Sequence, residues 1–231
     1  MTREQITENL ADVRRLIVMA CEKFGRDPKT VQLLAVSKTK PVDMIRTAIE
    51  AGQHEFGESY LQEALDKITI IGTEQAHWHY IGAIQSNKTR AIAENFSWVH
   101  TIASPKVARR LSEQAPAALN TLVQVNISGE SSKAGVAPAE LPSLIESLMP
   151  FDNIILRGLM TLPAPAENFE KQRVPFRQLR EHFEAIQREF GQDLQAFDQL
   201  SMGMTADLEA AIAEGTTWLR IGTAIFGERT T

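Results

Sequence analysis

The feature that most constrains the fold is a regular alternation of short apolar runs with longer amphipathic segments. The apolar runs predict strands at Val31–Ser37, Glu55–Gly57, His77–Gly82, Trp98–Ile102, Thr121–Ile127, Ile155–Leu162, Gln199–Gly203 and Trp218–Gly222. The segments between them predict helices at Val42–Ala51, Tyr60–Ile68, Ser86–Glu94, Pro105–Gln114, Ala139–Leu148, Glu167–Phe190 and Ala206–Glu214. Eight strands alternating with helices is the pattern that closes a parallel β/α barrel.

A further helix is predicted ahead of the first strand, and Gly25 and Pro28 end it. Its apolar residues recur at helical spacing: Ile6, Leu10, Val13, Ile17, Cys21 and Phe24. No linker divides the chain, so we expect one α/β domain over residues 1–231, a TIM-type (β/α)8 barrel with an extra N-terminal helix. The alternative is an open doubly wound sheet, which is disfavoured because no glycine-rich dinucleotide loop follows the first strand.

Charge and cysteine content narrow the class of protein. A net charge of −5 argues against a nucleic-acid or membrane-surface partner found by bulk electrostatics. The one cysteine, Cys21, excludes an internal disulfide and a cysteine metal cluster, and its place in the helical stripe predicts a core residue. The N-terminus lacks the apolar stretch of a secretion signal, and no run is long enough to span a bilayer. We therefore expect a cytoplasmic protein.

Lys38 follows the first buried strand, where parallel α/β folds place their chemistry. Strand alternation puts it in phase with Leu34 and Val36, so its amine is expected to project from an apolar wall. Desolvation there would lower the pKa of the amine and leave it able to form a Schiff base. The alternative is a lysine that ends a strand in solvent.

The last two predicted strands lead into loops that carry glycine and hydroxyl residues. Ser201 and Gly203 lie in the first loop, and Arg220, Gly222 and Thr223 in the second. In a barrel these loops often hold a phosphate group. For either loop alone, helix caps and turns are the favoured explanation, and Thr205 is typical of such a cap. Two such loops together with Lys38 favour a cofactor with a phosphate and a carbonyl group, pyridoxal 5′-phosphate (PLP).

Six segments carry a family resemblance: Leu34–Pro41, Glu55–Tyr60, His79–Lys88, Arg157–Pro163, Leu200–Met204 and Arg220–Gly227. In order and in sequence they resemble the pyridoxal phosphate homeostasis protein family. The resemblance implies a single barrel related to the N-terminal domain of alanine racemase, with PLP held as a Schiff base on Lys38. It further implies that Arg220 faces the pyridine nitrogen and that the phosphate is surrounded by Ser201, Gly203, Gly222 and Thr223.

The expected function is binding of PLP for intracellular vitamin B6 homeostasis without turnover. A guanidinium such as that of Arg220 would not keep the pyridine nitrogen protonated, which weakens the electron sink. Related racemases take a second base from another domain, which we do not expect in this chain. We expect an exposed cofactor that exchanges with apo-enzymes, in a monomer. The alternatives are a low-activity amino-acid racemase and a sugar-phosphate barrel in which Lys38 forms a Schiff base with the substrate.

Several further residues are singled out without a settled role. Ser59 stands where the family commonly has asparagine. Lys40 is either an electrostatic neighbour of Lys38 or a second Schiff-base site. His77 and His79 share one strand face, where a metal site is disfavoured for lack of a third ligand. Either the His79 imidazole or the loop that carries Asn87 is expected at the barrel mouth near the cofactor ring. Met160 and Met204 are expected to pack beside the cofactor or in the core.

Overall fold

Eight parallel strands in consecutive order close into a barrel, with β1 paired to β8. The computed structural model describes residues 1–129 and 134–228. The strands are β1 (Gln32–Val36), β2 (Glu55–Glu58), β3 (His77–Tyr80), β4 (Trp98–Ile102), β5 (Leu119–Gln124), β6 (Ile154–Met160), β7 (Gln199–Ser201) and β8 (Trp218–Ile221). The predicted α/β fold class and its extra N-terminal helix are therefore confirmed.

Helices follow the strands and cover the outside of the barrel. They are α1 (Arg3–Lys23), α2 (Val42–Glu50), α3 (Leu61–Ile71), α4 (Thr89–Asn95), α5 (Pro105–Gln114), α6 (Leu141–Leu148), α7 (Phe169–Phe190), α8 (Leu208–Ala213) and α9 (Thr223–Phe226), with 3-10 turns at Pro28–Thr30 and Pro138–Glu140. No helix in the described part of the chain is long and apolar enough to cross a membrane. The sequence did not predict α9, a single turn that buries Ile225 and Phe226.

The predicted strands are correct in number and order but several extend too far. The ladder ends at Tyr80 in β3 and at Ser201 in β7, two residues before the glycine that closes each predicted strand. At the second of these ends the backbone of Gly203 takes φ +92, which a strand does not allow. The apolar pattern continues past the ladder because Met202 is fully buried and Ile81 half-buried beyond the strand ends.

Helix α1 begins at a capping box, in which Thr2 and Gln5 exchange side-chain and backbone hydrogen bonds. Its predicted apolar stripe is buried from Ile6 to Cys21, whereas Phe24, which follows the helix, is half-buried. Cys21 is fully buried, as expected of a core residue. Arg14 on this helix donates to the backbone carbonyls of Ala51 and Gly52 at 2.9 Å each. These contacts fix the extra helix against the loop that follows α2.

The lumen of the barrel differs in chemistry from the core around it. Between strands and helices the core is mostly apolar, with the buried pair of Glu58 on β2 and Lys67 on α3 as an exception. Inside the barrel, Leu34 and Leu122 pack beside fully buried polar residues, among them His79, His100 and Ser201. Buried polar groups need partners, so the lumen must be held together by hydrogen bonds as well as by packing.

Candidate functional site

A cavity of about 370 Å³ opens at the carboxyl ends of the strands. Four of the predicted site residues line it together, Lys38, Arg220, Gly222 and Thr223. Ser201 and Gly203 are buried close by but do not line the cavity. The remaining lining residues are Val36, Thr39, Lys40, Ser59, Ile81, Met160, Leu162, Met204, Thr205, Ala206 and Gly227. The structure thus brings the strand-end lysine and the β8 loop to one place.

Lys38 lies in a tight turn after β1, half-buried against the cavity. The next residue, Thr39, adopts φ +64, a left-handed conformation that costs energy in a residue with a side chain. Its backbone N–H donates to the Glu63 carboxylate at 2.6 Å. This hydrogen bond from α3 offsets part of the strain and fixes the direction in which Lys38 leaves the strand.

The buried ammonium group of Lys67 also supports the turn after β1. Lys67 donates to the carbonyl of Ser37 at 2.7 Å, to Glu58 at 2.7 Å and to Glu63 at 2.5 Å. Glu58 is fully buried, and that burial raises the pKa of its carboxyl although Lys67 opposes the shift. Sequence reasoning missed this group. The only signal was the four-residue spacing of Glu63 and Lys67, which is typical of any exposed helix face.

Arg220 forms the floor of the cavity. Its guanidinium donates to Ser201 Oγ at 2.7 Å and to the carbonyl of Thr161 at 2.8 Å. Burial lowers the pKa of Arg220 to about 10, and the carboxylate of Asp207 opposes the shift. Arg220 therefore remains a cation near neutral pH and presents only donors.

Asp207 shapes the loop after β7. Its carboxylate accepts from the backbone N–H of Met204 at 2.5 Å, and burial raises its pKa. Asp207 occupies the N-cap position of α8, which begins at Leu208. The cap predicted at Thr205 is therefore wrong, and Thr205 instead lines the cavity.

Lys40 is buried and ties the end of the described chain to the barrel. Its Nζ donates to the carbonyl of Gly227 at 2.9 Å and to that of Glu228 at 2.6 Å. Strand alternation does not extend to Lys40, because β1 ends at Val36 and the turn at Thr39 intervenes. Lys40 lines the cavity beside Lys38, so its role as an electrostatic neighbour stays a prediction.

The remaining predicted residues lie at different depths. Ser59 lines the cavity, and so do Met160 and Met204, for which packing beside the cofactor or in the core was predicted. Asn87 lies in an exposed turn before α4 and does not line it. The prediction that His79 lies at the mouth is wrong, because its ring is fully buried inside the barrel and bonds Glu55 and His100. Among the described residues no group of three metal-ligating side chains is found.

The fold and this cavity define a β/α barrel with a lysine at the first strand end and a cationic floor supplied by the eighth strand. The family model for the alanine racemase N-terminal domain matches residues 4–230. The pyridoxal phosphate homeostasis protein of Pseudomonas aeruginosa is 52% identical over 227 residues, 97% of this chain and 96% of the relative. The protein of the same name from Escherichia coli is 46% identical over 230 residues, 97% of each chain. The chain belongs to the pyridoxal phosphate homeostasis protein family.

Solved structures agree with this assignment. PipY of Synechococcus elongatus with PLP bound superposes with a TM-score of 0.83 at 34% identity, covering 96% of this chain and 100% of that one. Alanine racemase from Corynebacterium glutamicum gives 0.71 at 19% identity, covering 99% of this chain but 62% of that one. The second likeness is one of fold alone.

Proposed function

We propose that this protein binds PLP covalently on Lys38 and takes part in intracellular vitamin B6 homeostasis. The observation that carries the proposal is that one cavity is lined by Lys38, Arg220 and the Gly222–Thr223 turn together. Its volume of about 370 Å³ falls in the range of small-molecule sites, roughly 300 to 1,000 Å³. The bound PLP of PipY, a relative of the same fold at 34% identity, supports the choice of ligand.

The chemistry of the lining residues fits the three functional parts of PLP. When bound, PLP supplies an aldehyde and an electron-accepting ring. Lys38 would join its Nζ to the aldehyde carbon with loss of one water molecule. Arg220 would donate to the unprotonated ring nitrogen, and the hydroxyl of Thr223, which lines the cavity beside Gly222, would donate to a phosphate oxygen.

We further propose that this site carries the cofactor without turning over a substrate. The described residues lining the cavity include Lys38, Lys40 and Arg220 but no histidine, tyrosine or carboxylate. The hydroxyl of Tyr80 donates to the carbonyl of Ala83 and does not face the cavity. Removing and returning a proton on opposite faces of a substrate needs a second positioned base beside Lys38.

The proposed role includes exchange of PLP with apo-enzymes by a cytoplasmic monomer. The cavity opens at the barrel mouth, and Lys38 is half-buried rather than enclosed. Such a position would let an amine from solution reach the Schiff base and release the cofactor. The buried Cys21 thiol fits a reducing compartment.

Borohydride reduction of the PLP-loaded protein, followed by peptide mapping, tests the covalent site. We expect a visible absorbance band in the wild type and a reduced label on Lys38. Lys38→Ala should lose both, whereas Lys88→Ala, at an exposed lysine outside the cavity, should lose neither. A label on Lys40, or one spread over surface lysines, would show the proposal to be wrong.

The non-catalytic role is tested on the same preparations. Alanine incubated with the loaded wild type should keep its configuration, as it does with Lys38→Ala. Racemisation that the wild type supports and Lys38→Ala does not would establish an enzyme instead.

A further inference from the structure

A continuous chain of hydrogen bonds runs through the lumen beneath the proposed PLP site. Arg220 donates to Ser201 Oγ at 2.7 Å, and Ser201 Oγ lies 3.0 Å from His100 Nδ1. His100 Nε2 lies 2.9 Å from His79 Nδ1, and His79 Nε2 lies 2.7 Å from Glu55 Oε2. The chain links the cavity floor to a partly exposed carboxylate on β2. Its members come from five different strands.

The two ends of this chain fix the position of every proton in it. Arg220 can only donate, and an ionised Glu55 can only accept. Burial by itself raises the pKa of Glu55, but hydrogen bonds from His79 and His77 hold it below its usual value. His79 must therefore donate from Nε2 and accept at Nδ1. His100 must then do the same.

Burial keeps both imidazoles neutral, as this arrangement requires. It lowers the pKa of His79, with Glu55 opposing, and it lowers the pKa of His100 well below the usual value. Arg220 and His79 both oppose a positive charge on His100. With each ring a single tautomer, the hydroxyl of Ser201 must donate to His100 and can only accept from Arg220.

Aromatic packing holds the chain in place. The ring of His79 stacks on Trp98 at 5.5 Å with an interplanar angle of 2°, and Trp218 meets it edge-on at 4.8 Å. Further charged or titratable groups nearby are Arg157, which lies over the Trp98 ring at 5.0 Å and is paired with Asp198, His77, which is paired with Glu55, and Asp207, which acts on Arg220. The imidazoles therefore have little freedom to turn and break the chain.

We infer that Glu55, His79 and His100 are positioning residues for PLP binding, which act through Ser201 on Arg220. The inference rests on the proposed function of the cavity. Glu55 fixes which partner donates in every hydrogen bond of this chain. Ser201 Oγ is thereby kept as an acceptor for Arg220, and that hydrogen bond orients the guanidinium toward the ligand. Because His79 contacts neither the cavity nor the surface, this role is distinct from ligand contact.

NMR of the protein without PLP tests the chain itself. With 15N-labelled histidine, His79 and His100 should each show a protonated Nε2 and an unprotonated Nδ1. Both rings should change charge at a lower pH than an ordinary imidazole, which does so near about pH 6.5. A protonated Nδ1 on either ring would overturn the inference whether or not PLP binds.

A double-mutant cycle on PLP affinity tests the coupling. His100→Leu should raise the PLP dissociation constant roughly fivefold or more, because it leaves the Ser201 hydroxyl without the acceptor that keeps its oxygen turned toward Arg220. Glu55→Gln should raise it roughly twofold or more in the wild type and have no effect in the His100→Leu background. Glu50→Gln, at an exposed carboxylate outside the chain, is the matched control and should change nothing.

The outcomes distinguish a failure of this inference from a failure of the proposed function. Additive effects of Glu55→Gln and His100→Leu, or no effect of either in folded protein, would overturn the inference while PLP binding stands. If His100→Leu does not fold, the PLP dissociation constants of Glu55→Gln and Glu50→Gln still test the inference, because only Glu55→Gln should raise the constant. A wild type that fails to load PLP on Lys38 would instead refute the proposed function.

Discussion

At the scale of single residues, Gly203 is constrained by its backbone and by its neighbours. It adopts φ +92, and an added Cβ would lie 2.4 Å from the Cβ of Ala211. We expect Gly203→Ala to destabilise the protein by about 3 kcal/mol, the sum of left-handed strain and overpacking. The matched control is Gly25→Ala, where φ is +66 but nothing lies within 4 Å. It should cost about 1 kcal/mol. Urea unfolding measures both, and equal losses would contradict this explanation.

The sequence pattern predicted where Lys38 lies, but it did not show why position 203 is a glycine. Lys38 was found because a strand end in a parallel barrel leads to the mouth, whatever the details of the turn. A glycine that approaches a phosphate and one that allows a positive φ look alike in sequence. The structure shows the second reason for Gly203, and contact with phosphate stays a prediction.

At the scale of elements, α3 supports the turn after β1 through the buried Lys67. Replacing Lys67 with methionine leaves the fully buried Glu58 without its cation. We expect a loss of about 3 kcal/mol or more. The loss should be greater at pH 8 than at pH 5, because Glu58 can take up a proton in acid. Denaturant unfolding at the two pH values measures it.

The double substitution Lys67→Met/Glu58→Gln is the control for that prediction. It removes the buried charge along with its partner, so most of the stability should return. A Lys67→Met protein as stable as the wild type at pH 8 would mean that Glu58 is protonated in the native state.

The bounds of helices and strands were easier to predict than the contacts between them. The bounds of α5 and β4 were predicted correctly, since Ser104 caps the helix ahead of Pro105 and apolar residues fill the strand. The support of the turn was not predictable, because the bond from Lys67 to Ser37 joins residues on different elements. Helical spacing within α3 shows which side chains share a face but not which strand lies under them.

At the scale of the whole molecule, the polar lumen is the feature that sequence described least. Alternation correctly placed His77 and His79 on one face, where both bond Glu55. It did not give their depth in the barrel, since depth depends on the stagger of the neighbouring strands. The pairing of His79 with His100 follows from the β3–β4 register, which leaves no local signal.

The buried imidazoles also predict how the stability of the whole barrel depends on pH. Burial lowers the pKa of both His79 and His100 from the usual 6.5. Below about pH 6.5 the unfolded chain therefore binds more protons than the native one, so stability is complete above that pH and falls as the solution becomes more acidic. The slope should approach about 2.7 kcal/mol per pH unit for two such groups. Glu58 and Asp207, whose pKa values are raised, contribute with the opposite sign where they titrate, so the histidine contribution is the difference in slope between the wild type and His100→Gln from about pH 7 to about pH 5.5. Urea unfolding across this range should show the decline, and His100→Gln should reduce its slope by about half. A stability that stays flat from pH 7 to pH 5.5 would mean that these histidines are protonated inside the barrel.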